Sequence, residues 1–454
     1  MIEFIVDTNG SSHIEPTRTE NGIDLIAKSL DEAHASVKEV AINQIRRAVL
    51  CDQLGYEYWF MTEHHFQPEG AEFSPNPLMM EMAIAALTTR IRLGQGANIV
   101  SWHHPVRLAE QAAILDIVSG GRLEFGAARG YQSRETEVLG GPLGSSNQDQ
   151  ERNRAYFDEA LDIIVKCWTE PSFNYQGEFF TIPPSYTKWD NTLTLELFKQ
   201  PGAGRTVEDV FRFGDEMTLR EISVMPQPLQ KPYPQIWTPV TSGRSIDNAA
   251  RRGANAYTIV GPTATIKLQV ERYMKTSEDA GWPDRLHPGQ PFKYGFDSGR
   301  KRGFGVGRFV HVVTKDAGNL HKARRGMEAE WGYYAQFGLA AAVFGPDSGR
   351  SPTAKLSADD LIDTGNAIFG EPDYVIEEIL KLKEEIGYED MIMLLHPEVC
   401  GLTHTEMEDQ LHAFAEHVMP VLRRECGGAP ERPECGIDLT PETPAPVRPE
   451  VAAV

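Results

Sequence analysis

Apolar positions in the first 170 residues alternate between two rhythms. Short, mostly apolar runs at 3–6, 58–62, 91–97 and 123–127 read as buried strands. Between them, at 41–54, 79–88, 105–118 and 156–168, apolar residues return every three to four positions, as on one face of a helix. Ile42, Ile45, Val49 and Leu54 mark the first such face, and Gly55 stands where a helix C-cap would end it. Further strands are expected at 235–239, 255–259, 307–313 and 390–395, with helices at 245–252, 263–280 and 373–386. Eight alternating strand–helix units are the count of a TIM barrel, although an open doubly wound sheet alternates in the same way.

Three stretches break the rhythm: 183–224, rich in charge and Gly; 282–305, rich in Pro, Gly and Arg; and 331–370, where Trp331, Tyr333, Tyr334 and Phe337 precede Gly/Pro turns. Loops this long inside a compact domain usually carry function. Residues 331–370 leave the seventh strand at the barrel mouth, so a gating lid is expected there, with an extra helix lying on the barrel as the alternative. After Glu425 the chain is Pro-rich without apolar period. Residues 1–425 are therefore expected to form one domain, and 426–454 a disordered or loosely packed tail.

Composition narrows the partners. With 41% hydrophobic residues, the 454-residue chain can bury a sizeable core. Its 44 Lys and Arg against 65 Asp and Glu leave a net charge of −21, which argues against nucleic acid or an anionic membrane as partner. Five scattered cysteines, with no CxxC or zinc spacing, read as reduced thiols. The N-terminus lacks a basic region followed by a long apolar one, and no run approaches the ~20 apolar residues of a membrane span. A cytoplasmic location is expected.

Two His pairs carry the candidate chemistry. His64 and His65 follow the second strand, where alternation would turn only one imidazole inward to move protons near neutral pH. His104 precedes Pro105 at a helix start and is expected to be structural, whereas His103 and Trp102 could reach the pocket. A metal held by Glu63, His64 and His103 is weighed against the HH spacing, which, unlike HxH, splits the imidazoles between faces; no metal is expected. Gly94-x-Gly96 lies inside a strand pattern and lacks the third Gly of a dinucleotide fingerprint, so it reads as close backbone approach to a flat ligand. Arg129, ending the fourth strand, together with Thr241, Ser242 and Ser245 at a helix start, offers the donors a phosphate needs. Helix capping would account for one of those hydroxyls.

Three runs in this order and spacing, EHHF at 63–66, HHPVRLAEQ at 103–111 and LDIVSGGRLEFGAARGY at 115–131, closely resemble the bacterial luciferase-like, flavin-dependent monooxygenases. The resemblance extends over residues 1 to about 424 and is most specific in the first 170 and at 235–260. It favours a single (β/α)8 TIM barrel of luciferase-like type with insertions. It implies reduced FMN and dioxygen as reactants, a flavin hydroperoxide that oxidises a small organic substrate, and His64 as the catalytic histidine. It further implies a non-prolyl cis bond between Gly96 and Ala97 beneath the flavin, and an FMN phosphate held by Arg129, Thr241, Ser242 and Ser245. Ala128 and Val260 stand where luciferase has a flavin-contacting Cys and a Trp, so light emission is not expected. The chain shows no second nucleotide-binding pattern, so a separate NAD(P)H:flavin reductase is expected to supply reduced FMN, and a homodimer is expected by analogy. A deazaflavin-dependent dehydrogenase on the same fold and a non-catalytic flavin-binding partner subunit are the alternative readings. The substrate is not legible.

Overall fold

In the computed structural model, eight parallel strands close into a ring. They are β1 (Ile2–Thr8), β2 (Tyr58–Met61), β3 (Arg92–Gln95), β4 (Leu123–Ala128), β5 (Gln235–Pro239), β6 (Asn255–Thr258), β7 (Phe304–Val312) and β8 (Met391–His396). Besides isolated positions, the structure describes residues 1–20, 24–140, 150–189, 217–282, 303–345, 347–429 and 434–435. The pairing of β4 with β5, from Glu124–Gln235 to Gly126–Trp237, and of β8 with β1, from Met391–Ile2 to Leu395–Val6, joins the two halves. Those pairs exclude an open doubly wound sheet, and the barrel expected from the sequence is the fold.

The strands are largely buried on both faces, and β2 (YWFM) and β8 (MIMLLH) accordingly appear in the sequence as near-continuous apolar runs. Ile5, Tyr58, Phe60, Trp237, Tyr257, Ile392 and Leu394 fill the barrel interior. Their neighbours Phe4, Val6, Trp59 and Met61 point outward into the larger core beneath the helices. Gly94 makes room for this filling: a Cβ there would lie 2.1 Å from Phe60 Cε1.

The helices that bear on the site are α1 (Leu30–Leu54), α2 (Pro77–Leu87), α3 (Pro105–Val118), α4 (Ser133–Leu139), α5 (Gln150–Thr169), α6 (Gly243–Arg252) and α7 (Thr263–Asp279). α1 begins eleven residues before the expected 41 (41 minus 30), because its first turns are polar. Its start is set by the Ser29 side chain, which accepts from the Glu32 N–H, and by Asp31 and Glu32 in the first turn. Gly55 ends it in the left-handed conformation, as expected.

Residues 331–370 depart from the expected lid loop. They continue α8 (Leu320–Ala335), then form α9 (Ala340–Phe344), α10 (Ala358–Asp363) and an accessory strand, Ala367–Gly370, paired with β7. The expectation weighted the Gly/Pro punctuation over the apolar spacing. Met327, Trp331, Tyr334 and Ala335 recur with helical period and are buried with Leu356 and Leu361 in a second apolar core. Helix α11 (Pro372–Ile386) follows. Of the other two insertions, 201–216 and 283–302 lie outside the described residues, as does 436–454 of the expected tail. The described start of that tail is tied to the barrel's other end: Ile2 N–H donates to Gly427 O at 2.9 Å, and Cys435 N–H to Thr89 O at 2.8 Å. Cys51, Cys167, Cys400 and Cys426 are free thiols, and no helix among the described residues is long and apolar enough to cross a membrane.

Candidate active site

The C-terminal ends of the strands surround a cavity of about 510 Å³, the position at which this fold carries its chemistry. Gly96 and Ala97 form part of its wall, and the bond between them is cis. A Cβ on Gly96 would fall 2.8 Å from Asp7 Oδ1, so the backbone can run this close to the barrel axis only without a side chain. Asp7 is fully enclosed; burial and the nearby Glu398 carboxylate push it up to about 8. Its Oδ2 lies 3.3 Å from His396 Nδ1, and burial brings His396 down to about 4. At neutral pH the pair is therefore an uncharged acid beside an uncharged imidazole.

Strand alternation separates the two members of the first His pair. His64 lines the cavity and is 8% exposed, whereas His65 turns away, its ring against Trp102. His64 sits between two buried carboxylates: Nε2 is 3.2 Å from Glu72 and Nδ1 is 3.5 Å from Glu135. Burial alone would lower its pKa, but Glu72, Glu135 and Glu63 outweigh burial and raise it to about 9. Both carboxylates are held in turn. Glu72 accepts from Tyr333 Oη at 3.0 Å and Gln132 Nε2 at 3.1 Å; Glu135 accepts from the His65 N–H at 2.6 Å and Gln67 Nε2 at 3.0 Å. Glu63 serves different partners, the Ile99 N–H at 2.6 Å and His103 Nε2 at 2.8 Å.

The part of the cavity next to β4 and β5 is cationic. Arg129, Arg154, Thr241, Ser245 and Asn248 line it. Arg129 Nη1 and Arg154 Nε are buried without a hydrogen-bond partner. Burial, then the neighbouring Arg154, holds the Arg129 guanidinium down at about 10. Helix α6 points its N-terminus here, and Ser242 and Ser245 cap it reciprocally. Walls contributed by β7 and the segment after it are apolar instead: Phe309, Trp331, Leu339, Ala341 and Ala342.

His64, Gly96, Ala97, Arg129, Thr241 and Ser245 are thus brought to one cavity, while Ser242, a capping residue, is not among its lining residues. His103 and Trp102 are not among them either; His103 pairs with Glu63, and among the described residues Glu63, His64 and His103 do not form a group whose ligand atoms all lie within 4.8 Å of one another. Sequence reasoning missed Asn9, Glu72, Glu135, Arg154, Asn248 and Tyr334. Helical spacing could have found Asn248, one turn beyond Ser245 on the same face of α6. Glu72 carries no such signal, since only the return of its loop over β2 sets it against His64.

A family model described as luciferase-like monooxygenase matches residues 22–192. Among curated proteins, an uncharacterised protein of Sinorhizobium fredii, y4vJ, is 30% identical over 49% of this chain, which spans about half (51%) of that relative. Limonene 1,2-monooxygenase of Rhodococcus erythropolis is 25% identical over 83% of this chain and 80% of its own. Among solved structures, the oxygenating constituent of a type II Baeyer–Villiger enzyme, 3,6-diketocamphane monooxygenase of Pseudomonas putida in complex with FMN, superposes with a TM-score of 0.62 at 19% identity, covering 92% of this chain and 98% of its own. In the matched segment and in its closed barrel, the chain is similar to the luciferase-like monooxygenases.

Proposed function

We propose that the protein is the oxygenase component of a two-component, FMN-dependent monooxygenase. Reduced FMN and dioxygen would enter the cavity, one oxygen atom would pass to a small organic substrate, and the other would leave as water with oxidised FMN. The observation that carries this reading is the pair of buried, unpartnered guanidinium nitrogens on Arg129 and Arg154, beside the Thr241 and Ser245 hydroxyls. An unpaired buried cation is costly, and a dianionic phosphate with charge-assisted hydrogen bonds satisfies it.

The cis Gly96–Ala97 backbone would lie under the flat ring system, with His64 beside the reacting edge. Bound flavin supplies the dioxygen chemistry; the chain orients it, excludes water and presents the imidazole. The apolar wall of Phe309, Trp331 and Leu339 suits an uncharged substrate. The name of the diketocamphane enzyme as an oxygenating constituent supports a separate reductase here. A second copy of the chain would cover Met79 and Leu87 on α2 and Ile114 and Ile117 on α3, which are exposed. The free thiols of Cys51, Cys167, Cys400 and Cys426 suit the cytoplasm.

The test is a titration of the apoprotein with FMN, riboflavin and a deazaflavin, followed by fluorescence. FMN should bind at least about tenfold more tightly than riboflavin, which lacks the phosphate. Equal affinities would remove the phosphate site, and preference for the deazaflavin would move the chain to the dehydrogenase reading.

A further inference from the structure

Both ring nitrogens of His64 face buried carboxylates, Nε2 towards Glu72 at 3.2 Å and Nδ1 towards Glu135 at 3.5 Å. A neutral imidazole has one N–H and one lone pair, so it can satisfy only one carboxylate; the other would meet a lone pair. An imidazolium has two N–H groups and satisfies both. We propose that Glu72 and Glu135 are positioning residues that keep His64 charged at and around neutral pH, so that it serves the cavity as a resident cation rather than a proton shuttle.

The surroundings support this from every side. From β2 and the loop after it, Glu63 and Glu72 face the ring; from α4, Glu135; from β1, the uncharged Asp7. Tyr131 lies edge-on at 5.9 Å, and α8 contributes Tyr333 and Tyr334, whose phenols burial keeps protonated. The nearest basic side chain on α4, Arg134, is engaged elsewhere, with Glu69 at 2.7 Å. Glu72 is also braced by the Tyr333 hydroxyl, so its place depends on α8 packing over the barrel. Nδ1 is buried without a hydrogen-bond partner, so Glu135 at 3.5 Å acts on it through charge, and burial removes it from contact with a ligand. A cation fixed in a dry site stabilises negative charge developing on a ligand without moving a proton. This goes beyond the proposed function and rests on it only in taking the cavity as the flavin site.

The experiment is an NMR titration of protein labelled with 15N-histidine, with His64 assigned by the signals lost in His64→Gln. In the wild type His64 should stay charged on both nitrogens through pH 8. In Glu72→Gln and in Glu135→Gln its midpoint should fall by at least about one pH unit, with fold checked by circular dichroism. A wild-type midpoint at or below 7, or an unmoved midpoint in both variants, overturns the proposal. The wild-type titration decides even if a variant fails to fold. It uses no flavin, so failure of FMN binding would sink the proposed function and leave this result standing.

Discussion

Replacing Arg129 by Met removes the guanidinium while keeping most of the side-chain bulk. In the ligand-free protein its Nη1 is buried without a partner, and burial together with Arg154 depresses it to about 10. A phosphate on that nitrogen gains a charged hydrogen bond worth ~1.5–3 kcal/mol. At about 1.4 kcal/mol per factor of ten, FMN should bind roughly 10- to 150-fold more weakly to the variant. Riboflavin, with no phosphate, should bind both proteins alike. The ligand-free protein should behave in the opposite sense. A base whose folded pKa is depressed is a cost of folding at every pH below that value, so Arg129→Met should melt at the same temperature or higher. Fluorescence titration with both flavins and thermal melts with and without FMN read all of this. Unchanged FMN affinity in a folded variant would refute the phosphate assignment; a large loss of ligand-free stability would mean that Arg129 is held by partners the cavity geometry does not account for.

His64→Ala should retain the fold and FMN binding while product formation falls by about 10²–10³, the range for a preorganised electrostatic group, and His65→Ala should cost far less; the reverse ranking in coupled assays would mean that the wrong member of the pair had been chosen. Gly94→Ala would drive a Cβ to 2.1 Å from Phe60 Cε1, so urea midpoints should show a loss of about 1–3 kcal/mol or no folding, partly recovered in Gly94→Ala/Phe60→Ala; a neutral single variant sinks the packing argument. Stability should fall between pH 6.5 and 9. His64, raised from 6.5 to about 9, stabilises fully below 6.5 and loses that contribution as pH rises through 9, while Asp7 and Glu330, both raised to about 8, lose theirs up to that value. A flat or rising melting temperature over that window would contradict these protonation states.

The eight strands were legible because they are largely buried, which leaves short, mostly apolar stretches in alternation with helices. Closure was not legible: nothing local to Glu124 or Gln235 announces that their strands meet. The polar start of α1 escaped because its cap, Ser29, works through one hydrogen bond and not through an apolar face. The helices of the segment after β7 were not legible because its glycines and prolines are conspicuous, whereas the packing of Trp331, Tyr334 and Leu356 is a tertiary fact. In the site, residues adjacent in sequence to strand ends, such as His64 and Arg129, could be found. Glu72 and Asp7 could not, since their importance lies in what burial does to a carboxyl group, and burial is not written at one position.

The two apolar cores divide the cavity walls between separate reserves of stability. Ile246 and Ala249, which seat the helix behind the cationic wall, belong to the barrel's large core, whereas Trp331, Leu339 and Ala340, at or beside the apolar wall, pack in the smaller one. Substitutions that reshape the apolar wall therefore draw on a layer the barrel does not need in order to close. Such a division lets a lineage, or an engineer, vary what the pocket admits while the cationic wall keeps its geometry, with the limit of tolerated change set by the small core alone.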